Sequence, residues 1–98
     1  MKDQIPLGSL RVDEHVTNEQ VTKWSSAANL MATIEAIALD GAIAVVKVDG
    51  ARPAAIFTVV ISSPNLGEEF FRKDGTDVLS LLRDAVAFYD AEVWSKRR

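Results

Sequence analysis

Two runs of β-forming residues flank a turn signal between residues 42 and 62. The first run reads AIAVVKV, the second reads AAIFTVVIS, and the segment DGARP between them holds the Gly and Pro that favour a change of chain direction. This order predicts an antiparallel hairpin in the middle of a small sheet. We expect a connecting loop of about four or five residues, because Ala, Arg and Pro follow the Asp-Gly pair.

The hairpin strands are apolar on both sides. Successive residues of a strand point to opposite faces. In the second strand one face therefore carries Ala55, Phe57, Val59 and Ile61, and the other carries Ala54, Ile56, Thr58 and Val60. An antiparallel sheet with one face in water normally alternates apolar and polar residues. The second strand has no charge on either side and the first has only Lys47, which predicts that both faces are covered over much of their area.

A helix is predicted before the hairpin. Thr17 and Gln20 have the spacing of a capping box, in which each side chain satisfies a backbone N–H of the other residue. Asp40-Gly41 provides the stop, with Gly41 in the left-handed conformation common just after a helix. The sequence thus predicts one helix that runs from Asn18 to the Asp40-Gly41 stop.

The predicted first helix is as apolar as the hairpin. From Trp24 to Leu39 its only charged residue is Glu35. A helix that packs on one side of a sheet normally shows a wider charged face. Ala28, Ala32 and Ala36 recur at a spacing of four, which lets a second helix approach closely.

The sequence after the hairpin completes a small α+β fold. Residues 68–73 (EEFFRK) are read as a third strand with Phe70 and Phe71 on opposite faces; a short helix is the alternative. A second helix is predicted from about Asp77 to Trp94, with an apolar stripe at helical spacing. The expected fold is a three-stranded antiparallel meander packed with two helices, in the order α-β-β-β-α. Residues 17–95 form a single domain and residues 96–98 a basic tail.

Residues 1–16 are the N-terminal segment, and they can be read in two ways. Their apolar side chains and the alternation from Leu10 to Asp13 are compatible with an extra short strand that packs on the domain. The alternative is a terminal segment that does not pack on its own chain.

Composition excludes several classes of function. The 98 residues are enough for one domain, and the lack of Cys removes disulfides and thiolate chemistry. No apolar run has the length of a signal peptide core or a membrane span, so we expect a soluble cytoplasmic protein without membrane contact. The net charge of −3 argues against nucleic acid as a partner. The predicted element order is that of the double-stranded RNA binding domain, but Gly75-Thr76-Asp77 gives the last helix an acidic start where phosphate contact needs a basic one.

No motif for catalysis, a cofactor or a metal is present. The glycines stand singly, so no phosphate-binding loop can be drawn, and the only His, within Asp13-Glu14-His15, has no second His or Cys to complete a metal shell. Glu35 is the best candidate for a desolvated acid. We favour a solvent-exposed position for it beside Asp40, and we expect no enzymatic activity and no cofactor.

Surplus apolar surface is the remaining clue to function. It predicts a small protein-interaction domain that forms a homodimer or binds another protein, through the sheet or through the first helix. One alternative is a binding domain for an apolar small molecule, with a pocket lined by Trp24, Met31, Phe57 and Phe70. Another is an acidic partner-binding protein of the antitoxin or immunity type. The candidate interface or ligand residues are Trp24, Ala28, Met31, Glu35, Ile56, Thr58, Val60 and Phe70.

Overall fold

A computed structural model of the protein describes residues 14–97. Within these residues, two α-helices come first, three strands that form one sheet follow, and a third α-helix comes last. They are α1 (Asn18–Ser25), α2 (Ala28–Leu39), β1 (Ile43–Val48), β2 (Phe57–Ser62), β3 (Phe70–Gly75) and α3 (Val78–Tyr89). The predicted α+β class and the antiparallel meander are confirmed, and residues 68–73 mostly belong to a strand rather than a helix. The N-terminal strand considered for residues 1–16 falls almost entirely outside the described residues.

β2 is the central strand of the sheet, and β1 and β3 are its two edges. Val45 pairs with Val60 across the first hairpin, and Val60 pairs with Arg72 across the second. This register places every second residue of the three strands on one face, because side chains alternate along each strand.

The core lies between the sheet and helices α2 and α3. Val59 and Ile61 of β2 point to this side and are fully buried. α2 contributes Ile34 and Ile37, and α3 contributes a stripe that is closed to solvent along its length. Each fully buried aliphatic side chain adds about 1.5–3 kcal/mol to stability relative to an exposed one. The buried residues of α3 are Val78, Leu81, Leu82, Ala85 and Tyr89.

The prediction of one long first helix is wrong. The capping box of Thr17 and Gln20 is formed and Gly41 has a φ of 103°, so both predicted ends are confirmed. The helix breaks at Ser26 and Ala27, however, giving α1 and α2. The Ser26 hydroxyl donates to the Thr22 carbonyl oxygen, a local bond that weakens a helix interior. The break leaves Ala27 fully buried in the core.

The predicted second helix changes its winding before it ends. The Asp77 carboxylate accepts the N–H of Leu79 and so caps α3. After Tyr89 the chain continues as a π-helical turn, Asp90–Trp94, and a short 3-10 turn, Ser95–Arg97. The wider turn places the Trp94 ring edge-on against the Tyr89 ring, with 5.2 Å between the ring centroids.

A polar network joins the end of α2 to the end of α3. The buried Tyr89 hydroxyl donates to Asp40 Oδ2 over 2.6 Å, and Arg97 Nη1 donates to Asp40 Oδ1 over 3.0 Å. Asn65 Nδ2 donates to the Tyr89 hydroxyl and to the Asp40 carbonyl oxygen. The hydrogen bond from Arg97, and then that from Tyr89, lower the pKa of Asp40. Arg97, predicted to belong to a terminal tail, is thereby tied to the body of the domain.

The loop between β1 and β2 is longer than predicted. It spans residues 49–56, and the Asp49 N–H donates to the Ile56 carbonyl oxygen over 2.8 Å. Ala55 has a φ of 53°, in the left-handed region that favours glycine. Arg52 Nη1 donates to the Ala55 carbonyl oxygen over 3.0 Å and so helps to hold this conformation.

Replacing Ala55 by Gly should stabilise the protein. A left-handed conformation costs a residue with a Cβ about 1–2 kcal/mol, which exceeds the added flexibility that Gly gives the unfolded chain. We expect Ala55→Gly to raise the free energy of unfolding, measured by urea denaturation, by up to about 1 kcal/mol. The matched control, Ala54→Gly, should lower it, because Ala54 does not have a positive φ. A destabilised Ala55→Gly variant would contradict the strain assigned to this position.

Asp40 should make the stability of the folded protein depend on pH in the acid range. Its pKa in the folded protein lies below its ordinary value of 3.8, so the network stabilises the fold above that pH. The contribution is lost as the pH falls below 3.8 and through the lowered folded pKa. We expect Asp40→Asn to be less stable than the wild type at neutral pH, with the gap narrowing at low pH. Thermal unfolding between pH 7 and pH 2 measures this, and a gap independent of pH would contradict it.

Candidate functional site

The sheet has one face that none of the described helices covers. We call it the open face. Arg72 lies on it beside Val60, opposite the side that packs on the helices. The register gives three cross-strand rows: Ile43, Ser62 and Phe70; Val45, Val60 and Arg72; and Lys47, Thr58 and Asp74.

The first two rows form an apolar end of the open face. Ile43 is 67% exposed, Phe70 60% and Val45 44%, and Val60 lies half-buried on the central strand. These side chains belong to three adjacent strands spaced about 4.8 Å apart. They therefore form one contiguous patch, whereas isolated exposed apolar residues are ordinary on any protein surface.

The third row begins a polar end built on ion pairs. Arg52 reaches from the loop and lies 3.4 Å from Asp49 and 3.5 Å from Asp74, measured between nitrogen and carboxylate oxygen. Arg72 Nη2 lies 3.6 Å from Asp74 Oδ1, and Lys47 Nζ lies 3.5 Å from Asp49 Oδ2. We call these five residues the ion cluster. It contains three cations and two anions.

Thr58 joins the ion cluster to the sheet. Its hydroxyl accepts a 2.9 Å hydrogen bond from Arg52 Nη1 and donates to Asp74 Oδ1, and the residue is only 3% exposed. The hydrogen bond from Thr58 is the largest cause that lowers the pKa of Asp74, followed by the nearby charges of Arg52 and Arg72. For Asp49 the largest cause of a lowered pKa is the N–H of Ala51. Both carboxylates are thus held in their charged form.

An open groove continues the apolar end beyond the strands. It has a volume of about 550 Å³ and lies between the start of β1 and the start of β3. Ile43 and Phe70 line it together with Glu68 and Glu69. The groove extends the patch past the first row towards the turn at Pro64.

The candidate residues from the sequence divide into two groups. Thr58, Val60 and Phe70 come together on the open face. Ile56, expected beside them, lies outside β2 after the left-handed Ala55 and packs against the core. The remaining four, Trp24, Ala28, Met31 and Glu35, lie on α1 and α2, and all four are exposed.

The structure does not form the pocket considered for an apolar ligand. Phe57 points to the core side of the sheet, and Phe70 points to the open face. Trp24 contacts Phe57 edge-on, with 6.3 Å between the ring centroids. It also lines a separate open groove of about 430 Å³ on α1, with Val16 and Val21. The four aromatic and Met side chains therefore do not surround one cavity.

About half of the residues on and around the open face were not among the candidates predicted from the sequence. Ile43 and Val45 share a face of β1 with Lys47, but their relation to Val60 requires the pairing register. The sequence analysis also did not connect Arg52 and Arg72 with Asp74, which both approach in the structure. The two hairpin registers together are needed to bring Lys47 and Asp74 into one row, because each of them pairs with Thr58 of the central strand.

Comparison with protein-family models, curated proteins and solved structures finds no match to this chain. Among residues 14–97, no helix combines the length and the apolar character needed to cross a membrane. Within the same residues, no three His, Cys, Asp or Glu side chains converge as metal ligands.

Removing the Thr58 hydroxyl should loosen the ion cluster. Thr58→Val keeps the shape of the side chain but removes the hydroxyl that bonds Arg52 and Asp74, so the free energy of unfolding should fall. It should also raise the pKa of Asp74 towards its ordinary value of 3.8, because the largest cause of the lowered pKa is lost. Carboxyl NMR titration and urea denaturation measure both effects.

Thr58→Ser is the matched control for this experiment. It retains the hydroxyl and should leave the pKa of Asp74 low. Equal pKa values in the two variants would contradict the role assigned to the Thr58 hydrogen bond.

Proposed function

We propose that this protein is a protein-interaction domain that self-associates through the open face of its sheet. One observation carries the proposal: Ile43, Val45 and Phe70 lie exposed on that face, on the two sides of the central strand β2. On the opposite side of the sheet, Val59 and Ile61 of the central strand are already buried in the core, and Ala44, Val46 and Phe71 pack against it.

Exposed apolar patches of this kind are unusual on proteins that work as monomers. Burial of apolar surface contributes about 25 cal/mol per Å², so covering side chains as large as Phe70 and Ile43 favours association. Larger contiguous patches with a polar rim commonly mark protein-interaction sites. The ion cluster supplies such a rim at one end of the open face.

The charges of the open face favour a protein surface as the partner. The ion cluster holds both signs, and its carboxylates are paired with cations over 3.4–3.6 Å. A phosphate backbone is bound by clustered unpaired Lys and Arg, which this arrangement does not offer. A second copy of the chain is the simplest partner, because a twofold interface uses a single patch twice.

The outward side of α2 is the competing interface. Leu39 is 82% exposed and Met31 38%, and Ala28 lies on the same stripe. Glu35 lies in the middle of that stripe, so covering α2 would take its exposed carboxylate out of water. Burying a charge is costly unless a cation of the partner compensates it. The first two rows of the open face carry a charge only at their edge, at Arg72, which pairs with Asp74 in its own chain.

Matched substitutions distinguish the two surfaces. We expect sedimentation of the wild type at micromolar concentration to give a mass near twice 10.7 kDa. Phe70→Asp should raise the dimer dissociation constant at least about tenfold, because it places a charge in the apolar contact. Leu39→Asp makes the same kind of change on α2 and should leave the dissociation constant near that of the wild type.

Two outcomes would contradict this proposal. A monomer at all concentrations would remove self-association, and loss of the dimer in Leu39→Asp alone would place the interface on α2. Thermal unfolding of both variants serves as the check on folding. Each substituted side chain is already exposed, so neither change should disturb the core.

A further inference from the structure

We infer that Asp49-Gly50, in the loop between β1 and β2, is the position at which the folded chain forms isoaspartate. The sequence contains three Asp-Gly pairs, which are Asp40-Gly41, Asp49-Gly50 and Asp74-Gly75. A glycine after an aspartate favours this modification, because the missing side chain lets the glycine nitrogen approach the aspartyl carboxyl group closely. The structure distinguishes the three pairs by the way in which each glycine is held.

The modification proceeds through a cyclic imide, a succinimide. The backbone nitrogen of the glycine attacks the carboxyl carbon Cγ of the preceding aspartic acid in its neutral form. A C–N bond forms, and the amide proton and the carboxyl hydroxyl leave together as water. Water then adds to one of the two ring carbonyls. Opening at the former main-chain carbonyl leaves the chain linked through Cγ, which is isoaspartate, so the net change is an isomerisation.

Gly50 differs from the other two glycines in its backbone contacts. Within residues 14–97 the Gly50 N–H donates no hydrogen bond, and the residue is exposed. The Gly41 N–H donates to the Ala38 carbonyl oxygen over 3.0 Å at the end of α2. Gly75 is the last residue of β3 and pairs with Phe57. Attack by either of these two glycines therefore requires local opening of a helix end or of the sheet.

The Asp49 carboxyl group is folded over the Gly50 backbone. The Ala51 N–H donates to Asp49 Oδ1 over 3.0 Å, which closes a turn between the side chain and the second residue after it. The carboxylates of Asp40 and Asp74 instead bond to side chains of other elements. The electrophilic carbon and the attacking nitrogen are thus held on the same turn only at Asp49-Gly50.

Charge slows the modification at all three pairs and does not distinguish them. The neutral carboxyl group is the reactive form, because a carboxylate lacks a hydroxyl that can leave as water. Hydrogen bonds are in each case the largest cause that lowers the pKa of Asp40, Asp49 and Asp74. All three are therefore mostly ionised at neutral pH, and the contacts of the glycines decide which pair reacts.

Isoaspartate at position 49 alters the ion cluster. The carboxylate of Asp49 now pairs with Lys47 over 3.5 Å and with Arg52 over 3.4 Å. In the product its carbon is the carbonyl carbon of the main chain, so this carboxylate is consumed. A new carboxylate arises from the former main-chain carbonyl, and the loop gains one main-chain carbon. The modification thus acts on the polar end of the open face.

Peptide mapping of aged protein tests this inference. The folded protein and the same chain in guanidinium chloride are kept at neutral pH for several weeks and then digested with trypsin. Lys47 and Arg72 lie between the three pairs, so each pair falls in a separate peptide. An isoaspartyl methyltransferase with labelled methyl donor quantifies isoaspartate in each peptide. We expect the ratio of label in the folded to the denatured sample to be at least about fivefold higher for Asp49 than for Asp40 or Asp74.

The matched variant is Gly50→Ala. A Cβ at position 50 meets no atom within 4 Å and the φ of Gly50 is not positive, so this variant should fold. The added methyl group hinders the approach of the nitrogen, and label at Asp49 in the folded variant should fall at least about fivefold. Thermal unfolding of the fresh variant and of the aged wild type checks that both remain folded.

Three results would overturn the inference. The first is a ratio for Asp40 or Asp74 that equals or exceeds that for Asp49. The second is the absence of label from every pair of the folded protein while the denatured chain is labelled. The third is undiminished label at Asp49 in Gly50→Ala. None of these results depends on the proposed self-association, which sedimentation tests separately.

Discussion

The burial of one side of β2 against α3 is the constraint on which the rest of the structure depends. Val59 and Ile61 are fully enclosed there, between two neighbouring strands and the helix layer. Because side chains alternate along a strand, the same packing turns Val60 to the opposite side. The described helices lie on the first side only, so the apolar residues of the second side gain no cover from them.

Most of the fold could be predicted because its signals are local. The hairpin, the third strand, the Thr17 capping box and the left-handed Gly41 follow from alternation and from turn and cap residues a few positions apart. The break at Ser26 and Ala27 interrupts a run of residues whose periodicity continues from α1 into α2, so helix periodicity does not report it. The length of the first hairpin loop likewise depends on the side chain of Arg52 reaching β2 and β3.

The candidate site was predicted only in part. Alternation within β2 placed Thr58 and Val60 on one face, and Phe70 proved to lie on the same face. Their neighbours Ile43 and Val45 follow from the register between strands, which a single strand does not contain. Ile56 was misplaced because a left-handed residue before β2 interrupts the alternation. The apolar candidates Trp24, Ala28 and Met31 lie on helices α1 and α2 and not on the open face.

In the part of the chain that the structure describes, the sheet has two edges, β1 and β3, whose outer backbone groups have no neighbouring strand. Such edges can recruit further chains and lead to fibrous aggregates unless charge or shape discourages them. β3 carries Arg72, Lys73 and Asp74 in succession, whereas β1 carries Lys47 as its single charge. Association through the open face would not pair the backbone groups of either edge strand. Among residues 14–97, Lys47 is therefore the charge of β1 that discourages uncontrolled growth along this edge.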